Sequence, residues 1–265
     1  MPYVKVGEYK IYYEIDGHGE NLLLIHGFSS FLPMWQYLRP LLRKKFRLIL
    51  PEMRGHGRSD KPNIHYTIDM LSQDLVGILD ELKIEKCIVA GHSLGGFVAQ
   101  QMALDTPERL KALVLICTGP KVGVETVEAW LVESQAGFGL PLKEKVDKQI
   151  DVLFYNPQKI RSNPETMKLL WANEKQVVKN QISHGYVASA ALRFNVESRL
   201  DEIKMPTLII QGANDSIFPT HIGDYFVAHI PNAVLEVIGQ TGHSIQLEQP
   251  EALTKAIVKF CQSLL

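Results

Sequence analysis

The sequence has few cysteines, no long apolar run and almost no net charge, and each feature excludes a class of protein. Cys87, Cys117 and Cys261 lack the spacing of a metal site or a disulfide framework, so we expect small core residues. No stretch approaches the length of a transmembrane helix, and the first residues contain no apolar signal-like core. A formal net charge of −1 gives no reason to expect binding to nucleic acid or an anionic membrane. We therefore expect a cytoplasmic protein with a small-molecule ligand.

Short apolar runs alternate with helix-like segments through most of the chain. Predicted strands lie at 22–25, 47–50, 87–90, 111–117, 207–212 and 233–238, after an opening hairpin of 3–6 and 9–14 joined near Gly7. Helices are predicted at about 34–44, from 68 onwards with Thr67 as N-cap, and at 250–264. This alternation predicts an α/β fold with a doubly wound, mostly parallel sheet.

The alternation stops between Gly119 and about Leu200, where the sequence becomes helical and is interrupted by prolines. We expect residues 1–119 and 200–265 to form the core and residues 120–199 to form a helical cap inserted into it. The insertion carries more apolar bulk than a solvated linker, so it could roof a pocket. The residues predicted to line that pocket are Trp130, Phe138 and Trp171 from the insertion, and Ile217 from the core. The alternative is that the aromatic side chains pack only the insertion's own small core.

The segment Gly91-His92-Ser93-Leu94-Gly95 lies between a predicted buried strand and a helix-like run. A serine in such a tight strand-to-helix turn needs neighbours without side-chain bulk, and Gly91 and Gly95 meet that requirement. The turn would lift the Ser93 hydroxyl above the sheet, where the helix N-terminus points N–H groups at a developing oxyanion. This pattern predicts a nucleophile elbow. The alternative is a glycine-rich turn that has the same sequence pattern and no catalytic role.

A serine nucleophile needs a base, and the base needs an acid to orient it. Asp215 follows the predicted strand at 207–212, and His243 follows the one at 233–238 after a short loop. The order Ser93, Asp215, His243 is the one that this type of elbow requires. The alternatives are that Asp215 is a turn aspartate and His243 an ordinary loop histidine.

The other histidines have weaker claims to the base role. His92 lies inside the elbow, and its side chain should point away from that of Ser93. His26 should support the loop after the third strand, and His56 lies in the glycine-rich loop 54–59. The default for histidines 18, 65, 184, 221 and 229 is a surface position or a satisfied side chain.

An oxyanion hole requires a second N–H besides that of the residue after the nucleophile, Leu94. The segment His26-Gly27-Phe28 follows an early strand, and Gly27 would allow the backbone to turn the Phe28 N–H towards Ser93. The Phe28 ring could at the same time be a core aromatic group.

Four separated pieces of the chain resemble the α/β-hydrolase superfamily, in particular its small, capped, cofactor-free esterases and lactonases. They are His26-Gly27-Phe28, the Arg-Gly-His-Gly-Arg-Ser loop at 54–59, the elbow at 91–96, and the segments around Asp215 and His243. The resemblance implies Ser93 as nucleophile, His243 as base, Asp215 as its orienting acid, and Phe28 and Leu94 as oxyanion donors. Members often have an aspartate where Pro51 or Glu52 stands here, which leaves the local role of that acid open.

The function predicted from these features is that of a serine hydrolase, which cleaves carboxylic esters or lactones through an acyl-enzyme on Ser93 and requires neither a metal nor an organic cofactor. Serine members of the superfamily also include carbon–carbon bond hydrolases and perhydrolases. The carbon–carbon hydrolases often carry a tryptophan soon after the catalytic histidine, whereas Ser244-Ile245-Gln246-Leu247 follows here. A further alternative is a non-catalytic ligand-binding member. The sequence leaves open whether the protein is a monomer or a homo-oligomer.

Overall fold

The computed structural model describes residues 2–123 and 140–264. In these residues an eight-stranded sheet has the order β1-β2-β4-β3-β5-β6-β7-β8. The strands are β1 Tyr3–Val6, β2 Tyr9–Gly17, β3 Glu20–Ile25, β4 Phe46–Glu52, β5 Cys87–His92, β6 Leu110–Ile116, β7 Thr207–Gly212 and β8 Ala233–Ile238. The pairs β1–β2 and β2–β4 are antiparallel, and every pair from β4 to β8 is parallel. The predicted doubly wound, mostly parallel sheet is confirmed.

Helices cover both faces of the sheet. They are α1 Arg39–Leu42, α2 Ile68–Glu81, α3 Leu94–Asp105, α4 Leu142–Leu153, α5 Pro157–Arg161, α6 Pro164–Lys179, α7 Gln181–Arg193, α8 Thr220–His229, α9 Ile245–Glu248 and α10 Pro250–Gln262. Short 3₁₀ turns occur at Leu32–Trp35, Pro107–Arg109 and Glu197–Glu202. No helix in the described ranges is long and apolar enough to cross a bilayer.

The central strands are buried on both faces because their side chains alternate between two apolar clusters. On one face Leu23 and Val89 pack with α2, α3 and α8. On the other, Leu22 and Ile88 pack with the Leu32–Trp35 turn and α10. The Thr67 hydroxyl caps α2 by accepting a hydrogen bond from the Met70 N–H, as predicted.

Two boundaries differ from the prediction for a physical reason. The helix expected at about 34–44 is a 3₁₀ turn followed by the short helix α1, which has Pro40 in its first turn. Proline is tolerated there but not inside a continuous helix, so the chain begins a new helix at this point. Helix α3 begins at Leu94, directly after the nucleophile position, rather than near Gly96. The Leu94 N–H therefore lies at a helix N-terminus.

The described part of the insertion is helical and is formed by α4 to α7. Part of it has its own apolar cluster, which includes Val146, Ile150 and Leu170. Val187 of α7 instead joins the main core. The backbone of Lys121 pairs with that of Asn195, so the chain leaves and re-enters the core region at one place.

Candidate active site

The turn between β5 and α3 has the backbone geometry of a nucleophile elbow. Ser93 has φ 53° and ψ −119°, a region that non-glycine residues rarely adopt. A Cβ on Gly91 would collide with the Gly95 carbonyl, and one on Gly95 would collide with the Ile25 carbonyl. The Ser93 N–H bonds the Ile116 carbonyl at 2.9 Å, which holds the strained turn against β6. The glycines are therefore required by the close approach of three backbone segments.

Asp215 and His243 meet at the carboxyl ends of β7 and β8. The Nδ1–H of His243 donates to Asp215 Oδ2 at 2.9 Å, and both side chains are buried. Asp215 Oδ1 accepts from the N–H groups of Ile217 at 2.8 Å and Phe218 at 3.1 Å. Both carboxylate oxygens are thus engaged, and the His243 ring is oriented through its Nδ1.

Burial alone would raise the pKa of Asp215, but four favourable interactions outweigh it. The attraction to His243 and its hydrogen bond, followed by the N–H groups of Phe218 and Ile217, lower the pKa of Asp215 below its usual value. Asp215 is therefore a carboxylate at neutral pH. A negative charge at this position favours the Nδ1–H tautomer of His243.

The two residues proposed as oxyanion donors lie near Ser93. Ser93, Leu94, Phe28 and His243 all line the same cavity. A Cβ built on Gly27 would lie 3.3 Å from the Cβ of Ser93, so the backbone just before Phe28 passes directly beside the serine. This proximity is what an oxyanion hole formed by the Phe28 and Leu94 N–H groups requires.

The other histidines near the site have structural contacts. His92 Nε2 bonds the His243 carbonyl at 2.8 Å, and burial lowers the pKa of His92 to about 3. A neutral His92 thus holds the backbone of the proposed base. His26 accepts the Met53 N–H at 3.0 Å and donates from Nδ1 to the Gly27 carbonyl at 2.8 Å, which supports the loop as expected.

Glu52, whose role the sequence left open, is fully buried beneath the 54–59 loop. Its carboxylate accepts from the Arg58 backbone N–H at 2.5 Å and from the Arg58 guanidinium at 2.8 Å. The Ser59 hydroxyl bonds the Glu52 carbonyl. Glu52 is therefore held by the loop that it supports. Among the hydrogen bonds of the described residues, none joins Glu52 to His243.

One group of potential metal ligands occurs among the described residues, namely His92, Cys117 and His243, with ligand atoms within 4.8 Å of one another. Burial raises the pKa of the Cys117 thiol well above its usual value, which disfavours the thiolate that binds metals. His243 is bonded to Asp215, and His92 is bonded to the His243 carbonyl. These bonds place His92 and His243 in the hydrogen-bond network around Asp215. Their arrangement fits that network better than it fits the coordination of a metal ion.

The cavity above Ser93 has a volume of about 140 Å³. Two of the four residues predicted to line it are described. Ile217 lines the cavity. Trp171 packs against the apolar cluster of the insertion, and its neighbour Leu170 is the one of the two that lines the cavity. Trp130 and Phe138 lie outside the described residues.

Four polar residues around the cavity were not found from the sequence. Gln149 and Asn173 of the insertion and Gln246 of the core line the cavity. Glu248 lies just behind it, where its carboxylate accepts the Gly242 N–H at 2.6 Å and the Tyr155 N–H at 2.9 Å. Gln246 and Glu248 lie on the short helix α9, which begins two residues after His243.

Comparison with known proteins identifies the family to which this chain belongs. A family model described as the alpha/beta hydrolase fold matches residues 20–250, which include the elbow, Asp215 and His243. This chain belongs to the α/β-hydrolase fold family. Its members are built on the sheet and elbow described above, and the resemblance noted from the four sequence segments is confirmed.

Several characterised α/β hydrolases are similar to this chain over most of their length. The 3-oxoadipate enol-lactonase 2 of Acinetobacter baylyi is 29% identical over 238 residues, which cover 89% of this chain and 86% of the lactonase. The pimeloyl-[acyl-carrier protein] methyl ester esterase of Nitrosomonas europaea is 29% identical and covers 91% of this chain and 95% of its own. The solved structure of Est816, described as an N-acyl homoserine lactone degrading enzyme, is 28% identical, has a TM-score of 0.82, and covers 98% of this chain and 100% of that chain. Such homologues support a hydrolase.

Proposed function

We propose that this α/β hydrolase cleaves carboxylic esters or lactones through an acyl-enzyme on Ser93. The observation that carries the proposal is the bond from buried Asp215 to His243 at the edge of the cavity that also contains Ser93 in its strained turn. A protein that only bound ligands would gain nothing from an oriented histidine that shares a cavity with this serine. The lactonase and esterase relatives support the same assignment.

The proposed reaction begins when His243 Nε2 takes the hydroxyl proton as Ser93 Oγ attacks the substrate carbonyl. The carbonyl oxygen becomes an oxyanion, which accepts hydrogen bonds from the Phe28 and Leu94 N–H groups. The tetrahedral intermediate collapses when His243 returns the proton to the leaving oxygen. For a lactone the leaving hydroxyl stays attached to the acyl group.

In the second half of the reaction His243 removes a proton from water, and the resulting hydroxide attacks the acyl-enzyme. The oxyanion forms again in the same place, and collapse releases the acid and restores the Ser93 hydroxyl. A neutral His92 bonded to the His243 carbonyl adds no positive charge beside the imidazolium. We propose that the insertion at 120–199 caps this site.

The size of the cavity supports small or medium acyl groups. A dry cavity of about 150 Å³ holds one benzene molecule, and the cavity above Ser93 has about 140 Å³. Activity should therefore rise with the first methylenes of the acyl chain and fall when the chain reaches the far wall.

The assignment is tested by labelling with a serine-directed phosphonate and by replacing Ser93 with alanine. We expect one label, on Ser93, and a loss of ester hydrolysis on the order of 10⁶-fold in Ser93→Ala. Ser263→Ala, at an exposed serine of the C-terminal turn, is the matched control and should retain activity. Label on another residue or an active Ser93→Ala enzyme would contradict the proposal, and hydrolysis of a vinylogous diketone but of no ester or lactone would favour a carbon–carbon hydrolase.

A further inference from the structure

Each of the two N–H groups proposed as oxyanion donors belongs to a peptide whose carbonyl end is bound by a buried side chain. The Leu94 N–H shares its peptide with the Ser93 carbonyl, and the Phe28 N–H shares its peptide with the Gly27 carbonyl. In a trans peptide the N–H and the C=O lie in one plane and point in opposite directions. A donor on the carbonyl oxygen therefore fixes the direction of the N–H at the other end of the peptide.

Thr118, in the segment after β6, binds the carbonyl of the first peptide. Its hydroxyl donates to the Ser93 carbonyl oxygen at 2.8 Å, and Thr118 is 1% exposed. A Cβ built on Gly96 would lie 2.5 Å from Thr118 Cγ2, so the side chain packs directly on the first turn of α3. The Gly96 N–H bonds the same carbonyl at 2.8 Å. The Ser93 carbonyl thus has one backbone donor and one side-chain donor.

The position of Thr118 is itself fixed by two buried glutamines. Gln211 Nε2, near the end of β7, donates to the Thr118 carbonyl at 3.2 Å. Gln100 Nε2 of α3 donates to the carbonyl of the next residue, Gly119, at 2.8 Å. Both glutamines are fully buried. A network of this kind is rigid, so it holds the Thr118 hydroxyl at the Ser93 carbonyl.

His26 binds the carbonyl of the second peptide. The Met53 N–H donates to His26 Nε2, so the proton of the neutral ring is on Nδ1. This Nδ1–H donates to the Gly27 carbonyl at 2.8 Å in a fully buried site. Two separate parts of the chain, the end of β3 and the segment after β6, thus make the same kind of contact to the two peptides.

We propose that Thr118 and His26 are positioning residues of the oxyanion hole, which orient the Leu94 and Phe28 N–H groups through the carbonyl ends of their peptides. This inference rests on the proposed function and adds two residues to its site. A hydrogen bond to a carbonyl also polarises the peptide, which makes its N–H a stronger donor. Neither side chain bonds the oxyanion itself, so each contributes less than the roughly 10²–10³-fold in kcat that a direct donor supplies.

Thr118→Val tests the first contact, because valine has nearly the same shape and no hydroxyl. The probe is propyl trifluoromethyl ketone: Ser93 Oγ adds to its carbonyl carbon, the hydroxyl proton passes to His243, and the ketone oxygen becomes an oxyanion. Methyl propyl ketone is the comparison ligand, since it binds without forming this adduct. We expect the inhibition constant of the fluorinated ketone to rise about tenfold in Thr118→Val, and kcat/KM for 4-nitrophenyl butyrate to fall by about the same factor. The inhibition constant of methyl propyl ketone should stay at its wild-type value.

Two variants control this result. Thr118→Ser keeps the hydroxyl and should recover most of the lost affinity for the fluorinated ketone. Thr106→Val removes a threonine hydroxyl that donates to the Met102 carbonyl at 3.0 Å at the opposite end of α3. It should bind both ketones as wild type does. If Thr118→Val does not fold, Thr118→Ala removes the same hydroxyl with less bulk.

A pair of substitutions separates the two hydrogen bonds of His26. Asparagine can place its amide N–H near the position of Nδ1 and keep the bond to Gly27, whereas glutamine can place its oxygen near Nε2 and keep only the bond from Met53. We expect the inhibition constant of the fluorinated ketone to rise about tenfold in His26→Gln and by a smaller factor in His26→Asn.

The outcomes separate this inference from the assignment on which it rests. If Ser93→Ala abolishes ester hydrolysis but the hydroxyl-free Thr118 variant and His26→Gln bind the fluorinated ketone as wild type does, the positioning role is refuted and the proposed function stands. An equal loss of affinity for both ketones would also refute it, because it would indicate a general change of the cavity. A selective loss in one variant alone supports that residue and refutes the other. If wild type hydrolyses no ester and Ser93 takes no label, both proposals fail.

Discussion

The buried histidine His26 should make the protein less stable as the pH falls from 7 to 5. Its Nε2 accepts the Met53 N–H, and its Nδ1–H donates to the Gly27 carbonyl, so the neutral ring satisfies both partners. Protonation of Nε2 would place its new N–H against the Met53 N–H, so two hydrogen-bond donors would face each other in a fully buried site. Burial lowers the pKa of His26 to about 4 from its usual value of 6.5.

The size of the effect follows from proton linkage. Below pH 6.5 the unfolded chain binds a proton at this histidine that the folded protein does not bind, so stability is lost progressively between about pH 6.5 and pH 4. With these two pKa values the loss is about 2 kcal/mol at pH 5, and it reaches about 3 kcal/mol when the folded state also protonates.

Denaturant unfolding at pH 7 and pH 5 of wild type and His26→Gln provides the measurement. Burial raises the pKa of Asp74, Glu174 and Glu248. Each of these groups therefore makes the folded protein more stable as the pH falls. The wild-type change is therefore a sum, and the difference between wild type and variant isolates His26. We expect His26→Gln to be less stable at pH 7 but to lose about 2 kcal/mol less than wild type on acidification.

The control for this experiment is His18→Gln, at an exposed position in the turn between β2 and β3. Between pH 7 and pH 5 its free energy of unfolding should change by the same amount as that of wild type. Equal losses in wild type and His26→Gln between pH 7 and pH 5 would refute the argument, because they would mean that His26 takes up its proton equally in both states.

Two further predictions concern the residues that support His243. Asp215→Asn should retain substrate binding and lower kcat on the order of 10⁴-fold, because the amide does not favour the required tautomer; wild-type turnover would assign the orienting role elsewhere. Glu248→Ala should lower the free energy of unfolding by about 2 kcal/mol and also lower kcat, since the Gly242 N–H loses its carboxylate partner. Exposed Glu251→Ala is its control, and an unchanged kcat in Glu248→Ala would show that the loop holds its geometry without this contact.

The parts of the candidate site whose positions could be inferred from the sequence are those fixed by local constraints. Gly91 and Gly95 are needed where a serine occupies so tight a turn. Their spacing on either side of Ser93 can be read directly from the sequence. Asp215 and His243 follow buried strands, and parallel strands carry their carboxyl ends to one edge of the sheet. Local pattern and topology were sufficient to bring these residues together.

The parts that the sequence did not predict depend on how the insertion packs on the core. Leu170 and Trp171 are both apolar, so the pattern alone could not show which of them faces the cavity. Two of the three N–H groups that bond Glu248 come from residues 155 and 156, more than ninety positions away. Gln246 lines the cavity together with residues of α4 and α6. These contacts are long-range, and no local periodicity encodes them.

The backbone pairing of Lys121 with Asn195, together with the bond from the Val196 N–H to the Pro120 carbonyl at 3.0 Å, brings the two ends of the insertion together. For the sheet, everything between these residues is one closed loop, and the entropy of closing a loop changes only slowly with its length. Segments of other lengths can therefore be exchanged between these two anchor points with little cost to strand register. The same sheet can thus carry a different insertion by replacement of a single contiguous piece of chain.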